Sequence, residues 1–304
     1  MDLTVTSVPL QEAVDMFARK VAVGSPRTSA QWEQVAAEIR QRAMFSARVE
    51  SERLLEEMRV RLQQRLELAK EQGGTFMDRG LFIEQMRSEL HATGYRRPDD
   101  VRKGSLRDMK STRRLGLIFD MNVAQAQGYA KWLTSMDPDM LDAAPAQELV
   151  RVRPRMERRD WPVIWQQSGG AFFAGPHPDY PLAPGRMIAL KTDRIWWRIS
   201  RFGTPWPPYD WGSGMAPRDI RRAEAERLGL IAPGQRPQPL KQPFNAGVKA
   251  SLAGIPQDGR KRLASALLGI AVIAGDEIRM IDPENPEDAA PPEEIATPEE
   301  GGAG

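Results

Sequence analysis

Apolar residues recur at spacings of three and four along much of the first 130 residues. In residues 10–21, Ala13, Val14, Phe17 and Val21 fall on one helical face, and Gly24-Ser25-Pro26 ends the pattern. Residues 29–72 hold neither Gly nor Pro. Trp32, Val35 and Ile39 form one apolar series there, and Leu55, Met58, Leu62, Leu66 and Ala69 form a second. This predicts a long amphipathic helix capped by Thr28 or Ser29, continuous or broken in its middle. Unbroken, it would span about 60 Å. A stripe this strong does not face water, so it is expected to pack on another helix or on another chain. Gly73-Gly74 ends the segment, and Thr75 is the expected cap of a shorter helix over 76–92. A further helix is predicted over about 112–132, with Leu115, Ile118, Phe119, Val123, Ala126 and Tyr129 inward.

The texture changes after Pro138. Residues 150–235 carry six of the eight Trp, among many Pro and Gly. Residues 187–190 and 195–199 read as short strands, and 202–214 as an ordered but irregular loop held by aromatic contacts. A short helix is expected over 218–228, ending at Gly229. Residues 244–281 predict a helix near 260–268 and two strands joined at Gly275-Asp276. The expected class is α+β. Its divisions are a helical region at 1–97, a core with a basic segment and a Trp/Pro-rich loop at 98–235, a small α+β unit at 236–282, and a tail at 283–304.

Charge sharpens that division. The tail carries seven acids and no Lys or Arg, so the net charge of +2 leaves +9 on the remainder. Rich in Pro, Glu, Ala and Gly, the tail is expected to be disordered. Between Arg96 and Arg114, eight basic residues stand against three Asp. No apolar run reaches the roughly 18 residues of a membrane span, and no secretory leader is recognisable at the N-terminus, so no membrane partner is expected.

The chemistry available is narrow. There is no cysteine, and His91 and His177, the two histidines, both read as surface residues. Gly212-Ser213-Gly214 does not complete a nucleophile elbow, and no phosphate-cradling glycine loop is present. No catalytic residue, metal ligand or cofactor is expected. Candidates for interaction remain: the Leu55, Met58, Leu62 stripe; Arg113 and Arg114; Asn122, which reads as a satisfied amide or a ligand contact; and the run Arg151, Arg153, Arg155, Arg158, Arg159 with Trp161 and Trp165. That run either lies over aromatic rings or a neighbouring subunit, or contacts phosphates while the indoles stack on bases.

Several of these pieces, in this order, resemble the phage head-morphogenesis family typified by Mu F-like minor head proteins. The resemblance spans roughly residues 10–230. It rests on the opening QEAVDMFARK, on Trp32 with RAMFSA at 42–47, on the Gly73-Gly74-Thr75-Phe76 junction, and above all on RRLGLIFDMNVAQAQG at 113–128. Downstream, Arg158-Arg159-Asp160-Trp161 stands where many members have an Arg-Pro-x-His element, and PPYDWGSGM at 207–215 stands where they have a Pro-Pro-Asn turn and a Cys-Arg-Cys motif. The His and Cys are missing, so no metal role carries over. The resemblance implies a low-copy structural protein of the virion. It would join the head during procapsid assembly, at the portal vertex or capsid interior. Its partners would be the portal protein, the major capsid protein, or packaged double-stranded DNA. The alternative is a non-catalytic nucleic-acid-binding protein.

Overall fold

The computed structural model describes residues 10–32, 43–71, 78–154, 159–240, 249–251, 255, 257–266 and 271–280. The expectations for Gly73 to Phe76, for Val35 and Ile39, for Arg155 and Arg158, and for the acidic tail lie outside them. The protein has an α+β fold.

Its helical part is built from α1 (Leu10–Ala18), α2 (Ser29–Trp32), α3 (Glu52–Glu71), α4 (Arg79–Ala92) and α5 (Thr112–Ser135). One long helix over 29–72 is not what forms. Strand β1 (Val21–Ala22) pairs in parallel with β2 (Ala43–Met44), and Ser25 bridges Val49. Between β2 and Val49, Arg48 takes a left-handed φ of 61°. Freedom from Gly and Pro permits a helix without requiring one, and here backbone pairing to 21–25 wins.

The α3 stripe is satisfied within the chain. Leu55, Met58, Leu62, Leu66 and Ala69 are fully buried, and the first four share a core with Phe17 of α1, Phe82 and Met86 of α4, and Leu115 and Phe119 of α5. The stripe is therefore not a free docking face. Local capping sets the helix starts. Asp78 accepts the Leu81 amide at 2.8 Å, and Ser111 accepts that of Arg114 at 3.0 Å. Helix α5 runs one turn past its expected end and is followed by α6 (Pro138–Ala143), capped by Asp137.

The second part is a four-stranded antiparallel sheet in the order β4 (Phe172–Phe173), β5 (Arg186–Leu190), β3 (Ala146–Arg151), β6 (Met215–Ile220). The sheet is covered on both sides. Leu149, Met187, Ala189 and Met215 face a cluster with Trp161 and Trp165 of α7 (Trp161–Gln167), while Ala146, Ile188 and Ile220 face one with Ala225 and Ile231. Two segments differ from expectation. Residues 195–198 form a helical turn, α8 (Ile195–Arg198), and Trp196 donates its indole N–H to the Leu190 carbonyl at 2.8 Å. Residues 215–220 form β6, so the expected helix begins later, as α9 (Arg222–Arg227).

Between β7 (Lys249–Ser251), α10 (Gln257–Ala266), β8 (Ala271–Ala274) and β9 (Glu277–Met280), the strands order β7-β9-β8 with the expected turn at Gly275. Ile255, Leu263 and Ile278 pack against Val23, Trp32 and Ala43, so this unit shares a core with the N-terminal segment.

A buried carboxylate organises the centre of the larger sheet. Glu148 is fully buried and directly opposite Arg218 on β6. It accepts bonds from Arg186 at 2.8 and 3.1 Å and from Arg218 at 2.6 Å, and Arg186 also reaches Glu224. Burial pushes the Glu148 carboxyl up, but the two guanidinium partners outweigh burial and hold it below the usual carboxylate range. A lowered folded pKa means that this stability is present above the unfolded value and is lost as pH falls through the folded one. Glu148→Gln should cost about 2 kcal/mol near neutral pH, because charge-assisted bonds to two guanidinium groups are lost while Arg186 keeps Glu224. Urea unfolding between about pH 5 and pH 3 should then show a weaker pH dependence in the variant than in the parent chain.

Candidate functional site

The sequence-predicted candidates scatter. Leu55, Met58 and Leu62 are core residues, as above. Trp161 and Trp165 are buried, Trp165 against Trp196 at 5.4 Å, so neither offers a face to a base. Arg113 and Arg153 are exposed. Arg151 is held by its neighbours. It donates to the Ser213 carbonyl at 3.2 Å and to the Tyr180 hydroxyl, and its guanidinium lies 5.5 Å from the Tyr180 ring. His177 is not on the surface. Its Nδ1 accepts the Asp179 amide, which leaves Nε2 to donate to the Leu149 carbonyl at 2.7 Å; His91 is exposed.

Arg114, Asn122 and Arg159 do come together. They line one open groove of about 640 Å³, walled by α5, the 43–48 segment and the 201–211 loop. This size is within the ordinary range for ligand sites. Among the described residues six cations line it: Lys20, Arg48, Arg107, Arg114, Arg159 and Arg201. No carboxylate stands among the described lining residues. Acids outside the lining pair with three of them. Asp210, itself buried, pairs with Arg159 at 2.7 Å and Arg201 at 3.7 Å, and Asp100 pairs with Arg107 at 2.7 Å.

Arg114 is the groove's structural cation. Its guanidinium donates to the Ala47 carbonyl at 2.6 Å, the Ser46 hydroxyl at 3.1 Å and the Leu106 carbonyl at 3.2 Å, fastening two loops to α5. Burial lowers its pKa from the ordinary arginine value, against the raising effects of Tyr95 and Asp108. Arg48, a non-glycine residue in the left-handed region, carries a local cost of the kind that gathers at binding sites. Asn122 donates to the Ile118 carbonyl at 2.8 Å, a bond within its own helix.

Aromatic rings supply the rest of the wall. Trp32 stacks on Phe45 with centroids 4.2 Å apart, and Phe202 meets Trp211 edge-on at 5.0 Å. The loop bearing Phe202 and Trp211 is closed at its neck by the Arg201 amide on the Tyr209 carbonyl at 2.8 Å. It is held to α5 by Gln125, which accepts the Trp206 indole N–H at 3.0 Å and donates to the Pro208 carbonyl at 3.3 Å. The Pro207–Pro208 peptide in this loop is cis. Lys20, Arg48, Phe45, Arg201 and Trp211 were not legible as site residues. They come from separate stretches, and only the fold makes them neighbours.

The fold and groove define an α+β protein with a cationic, aromatic-walled recess. No family model, curated protein or solved structure matches the chain. Among the described residues, no cluster of His, Cys, Asp or Glu is arranged to hold a metal ion, and no helix is long and apolar enough to cross a membrane.

The groove's geometry rests on the contact between α5 and the loop. A methyl group at Gly128 would collide with the Pro207 carbonyl oxygen, whereas one at Gly116 would meet only the end of the flexible Arg79 side chain. Helix propensity alone favours alanine at both positions by about 1 kcal/mol. Gly128→Ala should instead lose about 1–3 kcal/mol, as overpacking does, while Gly116→Ala is neutral or stabilising. Thermal unfolding of the two variants side by side reads the sign.

Proposed function

We propose that this chain is a structural minor head protein of a tailed phage or prophage, without catalytic activity. It joins the head during procapsid assembly through the portal or the major capsid protein. The observation that carries this reading is that the stretch on which the family resemblance chiefly rests seats the loop where the chain departs from the family pattern. Residues 113–128 form most of α5, and 207–215 belong to the Trp/Pro loop. They are far apart in sequence, yet Gln125 and Gly128 seat one on the other. A pattern shared for its shape, rather than for the missing His and Cys, would be kept by such a contact.

The docking surface falls outside the core. Leu55, Met58 and Leu62 are committed internally, whereas Leu182, Val152 and Met140 are exposed apolar side chains on the outer surface. The groove favours a second reading, a non-catalytic nucleic-acid-binding protein, because its cations suit phosphate. The two roles can reside in one chain.

Co-expression with the portal and major capsid proteins encoded beside it tests the main reading. The expected result is co-sedimentation with assembled procapsids and capture of at least one of these proteins on an affinity matrix. A chain that stays wholly in the soluble fraction and captures neither overturns it.

A further inference from the structure

We infer that the groove binds a single-stranded nucleic-acid segment, with phosphates met by Arg48 and Arg201 and base faces met by Phe202 and Trp211. The inference goes beyond the head-protein reading and does not depend on it.

The first ground is charge. Among the described residues six cations and no carboxylate line the recess. Asp210 holds the Nε of Arg159 at 2.7 Å, while Arg201, 3.7 Å from the same carboxylate, is exposed. Arg48 is exposed at a φ of 61°, one residue beyond the Ala47 carbonyl that Arg114 holds. Guanidinium groups pair with phosphate oxygens through two parallel N–H bonds, so arginine suits this ligand better than lysine does.

The second ground is the kind of wall. Phe202 and Trp211 are only partly buried, unlike Trp161, Trp165, Trp196 and Trp206. Both line the recess, where they meet edge-on. A duplex keeps its bases stacked inside and offers such walls only phosphate. A single strand presents unstacked base faces as well, and stacking on aromatic side chains tolerates any base. An acidic peptide matches the charge but gives the rings nothing to stack on.

The test is fluorescence anisotropy of a labelled short dT oligonucleotide with the full chain, across a salt series. The expected result is binding at low salt, at least about tenfold weaker binding of a duplex of the same length, and a linear fall of log affinity with log salt. Arg48→Asn keeps a residue that tolerates the left-handed backbone. It should weaken binding several-fold and make the salt slope shallower by about 0.7, the single-strand increment for one phosphate contact. Trp211→Ala should weaken binding about tenfold with the slope unchanged. If that variant does not fold, Phe202→Ala tests the same wall. Arg153→Asn, exposed and outside the groove lining, should leave both affinity and slope as they are. Absence of binding at low salt overturns the proposal. So does equal affinity for duplex, equal weakening by Arg153→Asn, or displacement of the oligonucleotide by polyglutamate at matched charge concentration.

Discussion

The backbone of α5 comes against the Pro207 carbonyl at Gly128, close enough that no side chain fits between them. That approach locates everything on the loop side of the molecule. Gln125, one turn earlier, uses both ends of its amide to hold the Trp206 indole and the Pro208 carbonyl. Trp206 in turn packs on Tyr129 and Trp132 at 5.1 and 5.2 Å. The loop is thus fixed by one glycine, one amide and two rings, all on a single helix face. On its other side the same helix contributes Leu115, Phe119 and Ala126 to the helical core. It is the element that both halves of the protein share, and the groove is the space left where they diverge.

Local periodicity made part of this legible. The 3.6-residue repeats in α3 and α5 predicted which residues turn inward, because a buried helix face leaves a regular apolar trace. Residues 187–190 were legible as a strand for a different reason: a strand covered on both faces reads as a short unbroken apolar run. What the repeats could not tell was the partner. Leu55, Met58 and Leu62 look the same in sequence whether they pack on α1 or on a neighbouring subunit. The break before α3 was also hidden. Its cause is pairing of 43–44 and 49 with residues some twenty positions earlier, which leaves no local signal.

The sheet was obscured by its own electrostatics. Strand β3 carries Gln147 and Glu148 in its buried middle, and β6 carries Pro217, Arg218 and Asp219, so neither shows an alternating apolar pattern. Glu148 is tolerated there only because Arg186 and Arg218 arrive from both neighbouring strands. The aromatic run at 195–198 misled in the opposite direction. Bulky rings favour strands on average, but here an indole N–H closing back on Leu190 makes a helical turn. The groove shows the same limit most plainly. Arg114, Asn122 and Arg159 were visible as isolated candidates, whereas the value of Arg48 or Trp211 lies in what the fold places beside them.

The central claim is that α5 and the 200–214 loop form one unit whose seat is Gly128 and Gln125. Residue-resolved hydrogen exchange tests it most directly. If the claim holds, the amides of Arg201 and Thr204 exchange as slowly as those of Ala126 and Ala130 in the middle of α5, because they open only when the seat does. Fast exchange of the loop amides beside a fully protected α5 would contradict it, and would make the loop an independent element that rests on the helix without being held by it.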